Sequence, residues 1–202
     1  MSDISKQTTQ ADAWSSLRSF TAARIALGRT GVAIPLKESL QFTLAHAHAR
    51  DAVYSLLNIE TLINELQQFN IPILHLHSNA KDRYQYLQRP DYGRKLNAAS
   101  LDYLKEFTNN QYDIAISLAD GLSATAVNQH IIELLTELIP VLQRADFSIA
   151  PFCLTEQARV AISDEIASSL NAKLSLIFIG ERPGLSSQDS LGAYLTYNPI
   201  IG

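Results

Sequence analysis

Four short apolar runs, residues 71–77, 112–119, 147–154 and 174–179, separated by stretches of helical character, constrain the fold more than any other feature of this chain. The runs are largely continuous in apolar residues rather than alternating, and helices are expected between them over residues 98–108, 123–142 and 160–170. Strands that are apolar on both faces and joined by helical crossovers belong to a parallel sheet covered on both sides. The expected fold class is therefore α/β, a doubly wound, mainly parallel, Rossmann-like sheet.

Two helices are expected before the first strand. Trp14, Leu17, Phe20, Thr21, Ile25 and Leu27 recur at roughly helical intervals up to Gly28 and Gly31, and Pro35 opens a second helix running to about Leu57. The chain thus divides into a flexible N-terminus, 1–13, a helical extension, 14–60, and an α/β domain, 61–202. With 202 residues and 47% hydrophobic content it can bury one full core, but a second full domain is not expected.

The formal charge of −4 gives no long-range attraction to nucleic acid or anionic lipid. The single cysteine, Cys153, excludes an internal disulfide and a cysteine-built metal site. The polar start of the chain lacks the pattern of a secretory signal, and eighteen apolar residues never run together. The expectation is a soluble cytoplasmic protein whose partner is a protein or a small ligand, with no nucleic acid and no membrane. Lys81, Arg83, Arg89, Arg94 and Lys95 do interleave with Tyr84, Tyr86 and Tyr92, a mixture that could stack on RNA. The acidic balance and the buried character of many aromatics favour a protein interface instead.

In open α/β sheets ligands sit outside the carboxyl ends of the strands. That rule selects Asp120-Gly121-Leu122-Ser123, the turn at 155–160, and residues 180–187. In the first, Gly121 supplies a permissive backbone and Ser123 a helix cap, leaving Asp120 available to a ligand or partner. In the third, Glu181 and Arg182 follow an apolar strand directly, and a surface ion pair stands beside a ligand contact as a reading.

Several chemistries lack their residues. There is no Gly-rich dinucleotide fingerprint, no phosphate loop ending in Gly-Lys-Ser/Thr, and no Gly-x-Ser-x-Gly elbow. His46 and His48 point in different directions on one helix, and His75 and His77 share a strand face without an evident carboxylate or third imidazole. Cys153 reads as a small buried hydrophobe, and His130 sits mid-helix without a recognisable catalytic partner. No self-contained catalytic constellation and no metal site is expected.

Ordered motifs along nearly the whole chain do, however, carry a resemblance. They are Thr21-Ala22-Ala23-Arg24-Ile25-Ala26-Leu27-Gly28-Arg29, Tyr86-Leu87-Gln88-Arg89-Pro90-Asp91-Tyr92-Gly93-Arg94-Lys95-Leu96, Ala119-Asp120-Gly121-Leu122-Ser123, Arg159-Val160 with Asp164-Glu165-Ile166, Gly180-Glu181-Arg182-Pro183-Gly184-Leu185, and Asp189-Ser190-Leu191. Together they resemble the small subunit of ethanolamine ammonia-lyase. The resemblance implies an adenosylcobalamin-dependent lyase that converts ethanolamine to acetaldehyde and ammonia. A large subunit would hold the substrate, and this chain would close over the cofactor without activity of its own.

It also implies cofactor contacts at Val160 and Glu181, which makes 61–202 a cobalamin-binding domain. Glu181 would accept hydrogen bonds from amide or hydroxyl groups, and Val160 would offer backbone groups and apolar surface to a ligand edged with carboxamide arms. No Asp-x-His-x-x-Gly pattern occurs, so the resemblance implies no protein ligand to cobalt. Residence in the cytoplasm or in a bacterial microcompartment fits the same reading. The family pattern continues past the region matched by Leu195-Thr196-Tyr197-Asn198-Pro199 into a Cys-Ile-Ser-Asn motif and a terminal helix. Its cysteine is a further cofactor contact, and against that pattern the chain reads as truncated at its carboxyl end. The alternative is a non-catalytic, partner-binding or scaffold α/β domain.

Overall fold

A computed structural model describes residues 9–108 and 110–201. Six helices are present among them: α1 (Leu36–Val53), α2 (Ile59–Leu66), α3 (Arg83–Gln88), α4 (Ala98–Leu104), α5 (Ala124–Arg144) and α6 (Ile162–Ser169). Five strands, β1 (Ile73–His77), β2 (Tyr112–Ala119), β3 (Phe152–Glu156), β4 (Ala172–Gly180) and β5 (Leu191–Tyr197), form one sheet in the order β1-β3-β2-β4-β5. The first four are parallel and β5 runs antiparallel to β4. The protein is a mixed α/β fold on a mostly parallel sheet, as the apolar runs predict.

The strand order accounts for where the helices lie. From β1 to β2 and from β3 to β4 the chain steps across the sheet in one direction, and from β2 to β3 it steps back. Right-handed crossovers then require the first two connections on one face and the third on the other. The core obeys this. Leu74, Leu76, Ala115, Cys153, Ile177 and Ile179 pack with Leu104 of α4 and Ile162, Ile166 and Ala167 of α6. Ile114, Ile116, Leu118, Phe152, Leu154 and Phe178 pack with Leu62 and Leu66 of α2 and Val127, Ile131, Leu135 and Ile139 of α5.

The described residues form two compact units: those up to Asp51 together with Gly184–Ser187, and Ala52–Pro183 together with those from Gln188 onward. In the first unit the helix expected over 14–27 does not form. Only a six-residue 3-10 turn, Ser15–Phe20, is present, and its side chains are exposed. The backbone then turns at Ala26 (φ 50°) and Gly28 (φ 76°), and Gln10 pairs with Arg29 in an isolated antiparallel bridge. A Cβ at Gly28 would meet the Gln10 carbonyl oxygen at 2.6 Å, so close backbone approach rather than a helix stop explains this glycine. Of the segment 1–13 expected to be flexible, residues 1–8 lie outside the described residues.

In the second unit β3 begins at Phe152, later than expected, and the expected segment touches the sheet earlier only through the bridge between Ile114 and Ile149. The helices α2 and α3 and the strand β5 were not anticipated. Strand β5 has an exposed surface at Ala193, Tyr194, Leu195 and Tyr197, so it carries no buried apolar run to betray it.

Candidate functional site

The three strand ends selected by the ligand-crevice rule do converge in the second unit. A cavity of about 170 Å3 is lined by Gly121 and Leu122 after β2, Arg159 and Val160 after β3, Ile179, Gly180 and Glu181 at the end of β4, and Tyr86 of α3. Because the connections after β2 and β3 leave on opposite faces, these neighbouring strand ends part, and this is where such sheets open a crevice. Val160 and Glu181, from the ends of different strands, both line this cavity, with Val160 36% exposed.

The walls are held together by buried polar groups. Asp120 is 3% exposed, and its carboxylate accepts the backbone N–H of Gln157 at 2.8 Å and of Ala158 at 2.9 Å. Its Oδ2 lies 3.6 Å from Arg83 Nη1, which donates to the Gly121 carbonyl at 2.8 Å, while Arg83 Nε donates to the Val53 carbonyl at 2.7 Å. Burial pushes the Asp120 carboxyl up to about 6, while the Ala158 amide, Arg83 and the Gln157 amide pull it down. Gln157 sits at φ 54°, an unfavourable region for a residue with a Cβ, and the clamp on its N–H helps to hold it there.

Asp120 is therefore not available to a ligand or partner, as the sequence suggested it would be. It is consumed in tying the end of β2 to the loop after β3, because two backbone donors and a buried cation need an acceptor there. Ser123 occupies the N-cap position of α5, but its side chain does not cap the helix, and its Oγ donates to the Gln188 carbonyl at 3.3 Å. Nor do Glu181 and Arg182 form an ion pair: among the described residues Glu181 Oε1 accepts from the Tyr194 hydroxyl. That bond raises the Tyr194 pKa. A Cβ on Gly192 would come within 2.2 Å of Glu181 Oε1, so the carboxylate rests over a position that only glycine leaves open.

Two glycines allow the β2 turn and the β4 end to approach. Gly121 has φ 54°, and a Cβ on it would meet the Gly180 carbonyl oxygen at 2.2 Å; a Cβ on Gly180 would meet the Ser123 carbonyl oxygen at 1.8 Å. The Leu122 N–H donates to the Gly180 carbonyl at 2.8 Å across this contact. On the opposite wall Tyr86 is fully buried and its hydroxyl donates to the Ala158 carbonyl at 3.0 Å. The guanidinium carbons of Arg159 and Arg83 lie 4.2 and 4.7 Å from its ring centroid. The Arg/Tyr segment thus spends Arg83 and Tyr86 inside the fold instead of on a surface.

The remaining candidates lie elsewhere. His75 Nε2 is 2.7 Å from Glu156 Oε1, a carboxylate that parallel pairing with β3 brings alongside and that sequence order hides. His77 Nδ1 is instead turned to the Ser78 carbonyl at 2.8 Å. No group of three or more His, Cys, Asp or Glu able to hold a metal occurs among the described residues. His130 Nε2 lies 3.0 Å from Asp189 Oδ2, in a loop distant in sequence and outside the cavity lining. Cys153 is buried, and burial pushes its thiol far above the ordinary range. No described helix is long and apolar enough to cross a membrane. In the first unit, a larger hollow of about 470 Å3 is lined by Arg24, Leu27, Ile34, Glu38, Ser39, Phe42 and Leu185, and is mostly apolar.

Comparison with known proteins bears on these features. The ethanolamine ammonia-lyase light chain family model matches residues 11–202. The ethanolamine ammonia-lyase small subunit of Pseudomonas fluorescens (strain Pf0-1) is 50% identical over 192 residues, 94% of this chain and 70% of that protein. That of Pseudomonas aeruginosa (strain LESB58) is 49% identical over the same share of each. That of Pseudomonas putida (strain W619) is 45% identical over 197 residues, 96% of this chain and 72% of that protein.

Proposed function

Because the chain belongs to the ethanolamine ammonia-lyase light-chain family, and so is a subunit of an ammonia-lyase, we propose that it covers adenosylcobalamin held against a large subunit that turns ethanolamine into acetaldehyde and ammonia. Its doubly wound, Rossmann-like sheet presents the cavity at the strand ends to the cofactor, with Val160 and Glu181 as contacts. The observation that carries this reading is the convergence of both residues on one cavity built from three separate strand ends.

The residues fit the group in chemistry and in scale. At about 170 Å3 the cavity falls below the roughly 300–1,000 Å3 of pockets that enclose a whole small ligand. It suits one edge of a larger molecule whose other walls come from a partner. A carboxylate has roughly four acceptor positions and the Tyr194 hydroxyl takes one of them, so Glu181 can also accept from an amide or hydroxyl group. Val160 supplies exposed apolar contact. A partner is further supported by exposed apolar side chains in each unit: Trp14, Phe20, Val32 and Leu36 in the first, Leu195 and Tyr197 in the second.

When bound, the cofactor would supply the radical chemistry. The chain's own part is binding, orientation and exclusion. Tyr194 holds the Glu181 carboxylate by a hydrogen bond, and Gly192 leaves the space beneath it. Asp120 fixes the loop that carries Val160 through the amides of Gln157 and Ala158. Turnover would belong to the complex with the large subunit.

The test is co-expression with a large subunit of this family, followed by ammonia release from ethanolamine with and without adenosylcobalamin, and by corrin absorbance after dialysis. Cofactor-dependent release is expected from the complex and none from the isolated chain. Glu181→Ala should weaken cobalamin binding by about 1.5–3 kcal/mol, the usual scale of a charge-assisted bond. Association without cofactor-dependent release would favour a scaffold domain instead.

A further inference from the structure

Arg159 has a donor capacity that the fold does not use. A guanidinium carries five N–H donors, yet among the described residues Arg159 gives one hydrogen bond, from Nη2 to the Tyr86 carbonyl at 3.3 Å. Its Nε is enclosed with no acceptor. No described carboxylate lies within ion-pair distance of it, whereas Arg83, whose guanidinium carbon also stands by the Tyr86 ring, has Asp120 at 3.6 Å; Arg83 Nη2 is likewise enclosed without an acceptor, but Arg83 does not line the cavity. Burial of such a donor without an acceptor is costly, and native structures rarely leave one so unless something else supplies the acceptor.

The placement of Arg159 is enforced rather than incidental. Its backbone N–H donates to the Gly93 carbonyl at 2.7 Å, and a Cβ on Gly93 would meet Arg159 Cγ at 2.8 Å and Tyr86 Cε2 at 3.0 Å. The absence of a side chain at Gly93 lets the arginine stem lie against the Tyr86 ring, with the guanidinium carbon 4.2 Å from the ring centroid. The residue then lines the cavity together with Glu181. One wall carries the Arg159 guanidinium, with one hydrogen bond among the described residues, and another the Glu181 carboxylate, which has acceptor capacity beyond its bond from Tyr194.

From this pairing we infer that the cavity receives a primary carboxamide arm of the ligand, its carbonyl oxygen accepting from Arg159 and its NH2 donating to Glu181. This rests on the cofactor reading above. An anionic group would satisfy the arginine but face the Glu181 carboxylate, and a hydroxyl alone would not need both walls. A carboxamide carries acceptor and donor on one small planar group, and its size suits a cavity too small for the whole ligand. Arg159 becomes a binding residue beside Val160 and Glu181.

The inference is tested in the complex with a large subunit, using hydroxocobalamin and cobinamide as probes. Cobinamide lacks the nucleotide loop with its phosphodiester but keeps the carboxamide arms. Arg159→Gln, with its thermal midpoint checked, is expected to weaken both probes alike by about ten- to a hundredfold, as loss of a charge-assisted bond implies. Should that variant be unstable, Arg159→Lys keeps a cation near Tyr86 but removes the fork of N–H donors, and at native stability it should weaken both probes at least about tenfold. Weakening confined to hydroxocobalamin would move the acceptor to the nucleotide loop and overturn the carboxamide assignment. Unchanged affinity for both probes would overturn any ligand role for Arg159. If the unaltered complex binds neither probe, the cofactor reading itself fails and this inference falls with it.

Discussion

Replacing Gly180 by alanine tests whether the contact between the β2 turn and the β4 end is as close as the backbone indicates. A Cβ at Gly180 would lie 1.8 Å from the Ser123 carbonyl oxygen and 2.7 Å from the Asp120 carbonyl oxygen. Both neighbours are backbone, so neither can rotate away. To reach an ordinary separation, the turn must withdraw by more than about 1 Å, which would break the 2.8 Å bond from the Leu122 N–H to the Gly180 carbonyl. One lost backbone bond costs about 1 kcal/mol, and forced overpacking about 1–3 kcal/mol more. The expected destabilisation is therefore about 2–4 kcal/mol, read by urea unfolding at pH 7 with the denaturant slope unchanged. Corrinoid binding to the complex should fall as well, since the same residue lines the cavity. A loss below about 0.5 kcal/mol, the scatter of innocuous surface changes, would refute the argument from close approach.

Other perturbations give distinct outcomes. Asp120→Ala removes the acceptor for two buried amides and the counter-charge of Arg83, and should cost about 3–5 kcal/mol at pH 7 by chemical denaturation. The pH dependence of that difference is informative. Because burial lifts the Asp120 pKa from 3.8 to about 6, the folded state binds the proton more tightly than the unfolded one. The wild-type advantage over Asp120→Ala should then be largest below pH 4 and shrink as pH rises to about 6; a difference that grows over this window would contradict the assignment. Gly192→Ala should displace the Glu181 carboxylate and lower corrinoid affinity by about as much as Glu181→Ala does, with little loss of stability, whereas native affinity would show that the carboxylate has room to move. Cys153, fully enclosed, should react with a thiol reagent only at the rate of global unfolding, and rapid labelling of the native chain would contradict its burial.

The legibility of this chain follows from what sequence patterns encode. Strands β2 and β4 are legible because they lie inside the sheet and send apolar side chains into both core layers, whereas the edge strand β1 buries Leu74 and Leu76 and turns His75 outward, so it shows as a short alternation. Strand β5 lies at an exposed edge and pairs antiparallel, so Ala193, Tyr194, Leu195 and Tyr197 give no core signal. The N-terminal apolar spacing was misleading for the opposite reason: Trp14 and Phe20 are 67% and 85% exposed, so a helical period there reports no core of the chain's own. The strand-end rule located the cavity without help from any motif. The true role of Asp120 was hidden because its partners, Gln157, Ala158 and Arg83, are joined to it only by the completed sheet. The same is true of Tyr194 beside Glu181 and of Asp189 beside His130. Uncommitted donors at Arg159 leave no trace in sequence at all, since a missing partner can be recognised only once every neighbour is in place.

The strand order has a consequence for biogenesis. The cavity draws its walls from the ends of β2, β3 and β4, and β3 pairs with β2 while β4 docks on the opposite edge of that same strand. A nascent chain that has emerged through β3 has only the Asp120 clamp; Gly180 and Glu181, with the Tyr194 and Gly192 that seat the carboxylate, arrive last. Closure of the site thus waits on the pairing of β4 with β2, which joins residues as distant in sequence as Ile114 and Leu174, a long-range contact of the kind that forms slowly. A fragment ending before β4 would keep the exposed apolar side chains of the first unit but lack Ile179, Gly180 and Glu181, so it would hold those partner-facing residues without one wall of the cavity.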